Sequence, residues 1–193
     1  MMKQKYLLAA INLLVLVYSS NAQTNKSGIY MSVSDYNNHK LTYEIDCSVE
    51  KHKIRLNEFF NKPYIIVIHN GEYQKLLKNE IYGFKDCNNK VYRFYKSKEY
   101  EIVETGKIIV YTAEVNVTKG KGFSTVREYY FSILPLDVIK QLTINNLKEA
   151  FPDNHKFHDL LDQNFNGNYE VSEYDSFHKM YKVNHLLEST YQH

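Results

Sequence analysis

The stretch from Ile81 to Val115, IYGFKDCNNKVYRFYKSKEYEIVETGKIIVYTAEV, limits the fold more than any other part of the 193-residue chain. Strand-like runs at Ile81–Asp86, Val91–Tyr95, Tyr100–Val103 and Ile108–Val115 are separated by short polar links at Cys87–Lys90, Lys96–Glu99 and Glu104–Lys107. Links of this length join antiparallel neighbours; a parallel crossover needs about a dozen residues or more. An antiparallel meander is therefore predicted. Further strand candidates are Gly28–Ser32, Lys40–Asp46, Ile54–Leu56, Tyr64–His69, Glu72–Leu77 and Ser124–Leu134. In Lys40–Asp46, Leu41, Tyr43 and Ile45 alternate with polar residues, the pattern of a half-buried strand. Asn70-Gly71 suits a type I′ hairpin turn, whose two central residues both take positive φ. Gly120-Lys121-Gly122 turns the chain into the last long strand and lacks the spacing of a phosphate loop. The expected fold class is α+β: an antiparallel β meander of about 8–10 short strands, forming a barrel or a sandwich, and then a C-terminal segment of about three helices.

The first 22 residues read as an address. Lys3 and Lys5 precede the apolar run Tyr6–Tyr18, and Ser20-Asn21-Ala22 offers the small residues a signal peptidase inspects. The run is too short to span a bilayer, which takes about 20 apolar residues. Cleavage near Ala22 and export to the periplasm or the extracellular space are expected, with no transmembrane segment in the mature chain. Residues 1–22 contain no acid, so the formal net charge of +2 comes from Lys3 and Lys5, and the remainder is balanced. A balanced chain has no electrostatic footprint for nucleic acid. The expected division is a leader at 1–22, an antiparallel β region at 23–138 and a helical region at 139–193.

Cys47 and Cys87 are the two cysteines of the chain. An oxidising compartment permits them to pair; the alternative is two separate buried thiols. No CxxC motif or zinc-ribbon spacing is present.

Beyond Asp137 the apolar period changes from two to about 3.6. Thr143 caps a predicted helix through Phe151, ended by Pro152, and Asp153 or Asn154 caps the next, His155–Phe165. One face of this second helix carries His155, His158, Asp159 and Asp162, residue types and spacings shared by zinc sites and by solvated faces with charge pairs. Val171–Thr190 reads as the longest helix, placing His178 and His185 two turns apart and too far from each other to share a metal.

Asp162–Glu173 matches D-x-[DN]-x-[DN]-G-x5-E at every constrained place and resembles the calcium loop of the EF-hand family. The resemblance implies side-chain oxygen ligands from Asp162, Asn164 and Asn166 and a carbonyl ligand from Asn168. It further implies a water-mediated contact from Glu170, a sharp turn at Gly167 and bidentate closure by Glu173. Tyr169 departs from the usual small branched residue, and no second loop is available to pair with this one. The other reading of the segment is an Asn-rich helix–helix connection.

Three longer motifs are EIYGFKD followed by VYR in Glu80–Arg93, LTxxNLKxAFPDN in Leu142–Asn154, and YDSFHKMYKVN in Tyr174–Asn184. Through them the chain resembles a loose class of small exported proteins of Gram-negative bacteria, which implies export and this architecture but no chemistry. No GxSxG elbow or HExxH helix occurs. The expected function is a non-catalytic binding or interaction module with a protein or a small ligand as partner, its 18 tyrosines supplying amphipathic surface. The alternatives are an apolar-ligand carrier built on a closed barrel, a calcium-binding protein using loop 162–173, and an enzyme using acids such as Glu44, Asp46, Glu80 and Asp86. No cofactor is expected apart from calcium.

Overall fold

Strand β1 (Lys26–Tyr30) is followed by the short helix α1 (Val33–Asn37), whose capping box joins Ser32 and Asp35, and then by β2 (Thr42–Asp46). A small sheet comes next, β3 (Lys53–Arg55), β4 (Tyr64–His69) and β5 (Glu72–Leu77). The meander then runs through β6 (Gly83–Lys85), β7 (Val91–Tyr95), β8 (Lys98–Thr105), β9 (Ile109–Lys119) and β10 (Gly122–Ser132), with β11 (Lys140–Gln141) beside β10. Helices α2 (Ile144–Ala150) and α3 (His155–Asn164) precede a hairpin of β12 (Tyr174–Asp175) and β13 (Met180–Tyr181), which leads into α4 (Lys182–Ser189). This computed structural model describes residues 25–50, 53–56, 62–119 and 122–191. The leader at 1–22, and Gly120-Lys121 of the predicted turn, lie outside the described residues.

The predicted antiparallel meander with C-terminal helices is present. The main sheet has eight strands in the order β11-β10-β9-β8-β7-β6-β1-β2, every neighbouring pair antiparallel. It does not close into a barrel: β2 and β11 are its two edges. The small sheet β3-β4-β5 packs on one end of one face, where Ile65 and Val67 meet Ile29, Phe84 and Phe94. The helices pack on the other end of that face, where Leu147, Phe157, Leu161 and Leu187 meet Ile108, Val110 and Phe131. The opposite face is aromatic and carries Tyr100, Ile109, Tyr111 and Ile139.

The Asn70-Gly71 turn forms as predicted, with φ of 51° and 81°. Cys47 and Cys87 form a disulfide, their Cα atoms 5.6 Å apart, and join the ends of β2 and β6 across a separation of 40 residues. In the chain-entropy account, a closure of that length contributes about 4 kcal/mol.

Helices α2 and α3 start at the predicted caps. Thr143 Oγ1 accepts from Asn146 N, and Asn154 Oδ1 accepts from Phe157 N. The long helix expected over Val171–Thr190 is not formed. Glu170–Ser172 is a single 3₁₀ turn, and Tyr174–Tyr181 is a hairpin whose two end rings lie edge to face, 5.5 Å apart. Asp175 is the physical reason. Its Oδ1 accepts from the backbone N–H groups of Phe177 and His178, and Lys179 takes a left-handed φ of 56°, so the chain reverses where a helix would have continued.

Candidate functional site

Two surfaces stand out by their chemistry. The first is the loop Ile133–Val138, between β10 and β11. Leu134, Leu136 and Val138 are 60%, 69% and 58% exposed, yet the backbone carrying them is fixed. Leu134 N donates to Asp137 Oδ2 at 2.9 Å, and Ser132 Oγ donates to Leu134 O at 2.8 Å. Arg93 Nη2 donates to Asp137 O at 2.8 Å.

Arg93 is only 4% exposed. Among the described residues no carboxylate forms an ion pair with it, a costly state for a buried cation. Three tyrosine rings, Tyr82, Tyr95 and Tyr111, have centroids 6.0, 5.5 and 5.9 Å from its guanidinium carbon and offset part of that cost through their π faces. Proton order follows from the partners. Arg93 Nη1 donates to the Tyr111 hydroxyl, which donates to Ser132 Oγ, and Ser132 donates onward to the Leu134 carbonyl. Burial pushes the Tyr82 phenol well above its ordinary value, and its oxygen has no hydrogen-bond partner among the described residues.

The second surface is a cleft of about 660 Å³ where β8 and β9 part. The two strands pair from Thr105↔Ile109 to Glu101↔Thr112 and no further. Beyond that point Lys98–Tyr100 stays with β7, while Ala113–Lys119 stays with β10. Tyr100 and Tyr130 flank the cleft from the aromatic face, and Lys90, Glu101, Glu114 and Arg127 from the other. Lys90 Nζ pairs with Glu101 at 3.0 Å.

The residues of the calcium-loop motif are engaged with several separate elements. Both Asp162 oxygens lie 2.7 Å from Lys148 Nζ, and the Asn164 amide donates to Leu160 O. Asn166 N donates to Glu170 Oε2 at 2.7 Å, Asn168 Oδ1 accepts from Ile144 N, and Glu173 Oε2 sits 3.4 Å from Lys182 Nζ. The entering helix is α3, whereas the exit is the 3₁₀ turn and the hairpin. Among the described residues no group of three or more His, Cys, Asp or Glu side chains is arranged to hold a metal. On the face considered for zinc, His158 Nε2 donates to Phe151 O at 2.9 Å and Asp162 is turned to Lys148.

His178 and His185, expected two turns apart on one helix, are instead stacked with ring centroids 3.7 Å apart, because the hairpin folds one back over the other. His178 Nδ1 lies 2.6 Å from Asp175 Oδ2. That hydrogen bond, with those from the backbone of the turn, holds the Asp175 carboxyl down at about 2, below its ordinary 3.8. A depressed carboxyl supports the folded turn above its unfolded value and stops doing so as pH falls through the folded one. The Phe177 and His178 amide resonances are therefore expected to shift with a midpoint near pH 2, and this transition should vanish in Asp175→Asn. A midpoint near 4 would contradict the assignment.

No protein-family model, curated protein or solved structure matches this chain.

Sequence reading missed Arg93 and the 133–138 loop. Their signals were an arginine set among aromatics in VYRFY and an apolar run around Pro135.

Proposed function

We propose that this chain is an exported, non-catalytic interaction module that docks on a partner protein through the loop Ile133–Val138. One observation carries the reading: an exposed apolar loop held rigid by a buried arginine network. Contiguous exposed apolar side chains mark interaction sites, and a preorganised loop loses less conformational entropy on docking. Export is supported by the leader composition and by the Cys47–Cys87 bond, which suits an oxidising periplasmic or extracellular setting. No helix among the described residues is long and apolar enough to cross a membrane. The carrier alternative needs a closed barrel, and the sheet is open.

A photo-crosslinking residue at Leu136, in chain added to the native exported fraction, tests the reading. A discrete protein adduct is expected, competed away by excess unlabelled chain and lost when Leu134→Asp is added. Adducts with lipid alone, or the same adduct from a probe at Lys96, would overturn it.

A further inference from the structure

Backbone hydrogen bonding shows what the β8–β9 cleft presents. Leu142 N donates to Tyr129 O, so the Tyr129 backbone points toward β11 and away from β9. Its β9 partner Thr112 therefore points its own N–H and C=O toward β8, and by the two-residue period of an antiparallel ladder so do Glu114 and Asn116. Thr112 meets Glu101. Glu114 and Asn116 come after β8 has diverged, and among the described residues they face no strand. On the opposite bank, Phe94 N donates to Tyr82 O, so Phe94 turns from its β8 partner Glu99, whose backbone groups likewise face the cleft. The open edge of β9 thus looks across a cavity at β8.

We infer that this cleft receives an extended peptide segment of a partner protein, added as a strand to the free edge of β9. Unpaired edge groups are a template for strand addition. The Lys98–Tyr100 bank lines the far side, where the buried Lys78 ammonium donates to Ser97 O and Glu99 Oε2. Side chains of an added strand alternate between the two faces. On one face they meet Tyr130 where it packs edge to face on the buried Tyr100, ring centroids 5.1 Å apart, an apolar and aromatic lining that suits apolar or aromatic residues. On the other they meet Glu114 and Arg127, which stand opposite each other in the ladder and have no ion pair among the described residues, which suits charged residues. The occupant is therefore a peptide of two-residue period, apolar alternating with charged. This site is separate from the Ile133–Val138 loop and does not depend on it.

The test uses a random library of linear twelve-residue peptides displayed against the mature chain. Enriched peptides are expected to alternate apolar and charged residues and to protect the Glu114 and Asn116 amides from hydrogen exchange. Glu114→Pro removes an edge-facing N–H that β10 does not use, so the variant should fold with its thermal midpoint nearly unchanged and bind the selected peptide at least about tenfold more weakly. Asn116→Pro provides the same test one step along the edge, should the first variant fail to fold. Leu136→Asp should leave the peptide affinity unaltered. The inference is overturned if no peptide is enriched, if bound peptide leaves those amides unprotected, or if both foldable proline variants bind normally. It is also overturned if the edge proves to be occupied by a second copy, seen as concentration-dependent dimerisation lost in Glu114→Pro.

Discussion

Gly83→Ala is expected to destabilise the protein by about 3 kcal/mol or more, lowering the thermal midpoint by roughly 6–12 °C. A Cβ at Gly83 would lie 1.8 Å from the Tyr92 carbonyl oxygen, 2.9 Å from the Tyr92 carbonyl carbon and 3.1 Å from Arg93 Cα. All three are backbone atoms, so no rotamer change relieves the clash. β6 is only three residues long and pairs with β1 on one side and β7 on the other. Pushing it off β7 separates the β1–β2 end of the sheet from the meander. Thermal melting with the disulfide intact measures the effect, and a midpoint within 2 °C of the parent would contradict the packing.

Asn184→Ala should cost about 2–4 kcal/mol by leaving buried backbone unpaired. Asn184 is fully buried; its Oδ1 accepts from Ile108 N at 2.9 Å, and its Nδ2 donates to Ile108 O at 3.1 Å and to Glu104 Oε1 at 2.5 Å. The carbonyl of Ile108 retains a bond from Gly106 N, but the Ile108 N–H loses its only partner among the described residues. Asn184→Asp is expected to be worse near neutral pH, since a carboxylate cannot donate to Glu104 and repels it. Urea unfolding of the two variants gives the ranking. Equal stability of Asp and Ala at neutral pH would show that Glu104 does not contribute.

The fold was legible wherever a local rule decides it. Asn70-Gly71 read correctly because few dipeptides accept two positive φ values in succession. Lys96 and Ser97 take the same left-handed turn, with φ of 49° and 63°, yet carry no such sequence signal, so β8 begins at Lys98 and not at the expected Tyr100. In Lys40–Asp46 the apparent alternation is broken by Tyr43 at φ 54°, where the β1–β2 register shifts. A bulge of this kind is set by the neighbouring strand. YIIVIH reads as a strand but hides its inward face, because every position is apolar or nearly so; Ile65 and Val67 prove to be the buried pair. The hairpin over Tyr174–Tyr181 imitates a helical stripe through its aromatic spacing. Neither candidate surface follows from local pattern: the cleft exists because two strands diverge, and the loop is rigid because Arg93 reaches it from 44 residues away.

The bond from Ile108 N to Asn184 spans 76 residues, and the core it closes joins Ile108 and Val110 to Leu186 and Leu187. A ribosome adding about 5–20 residues per second takes several seconds to cover that distance. Until Asn184 and the last helix are made, the core over β9 and β10 lacks Val183, Leu186 and Leu187, and the emerging polypeptide cannot complete its native packing. Such a delay makes closure of this core one of the last steps the chain can complete, however early the meander pairs.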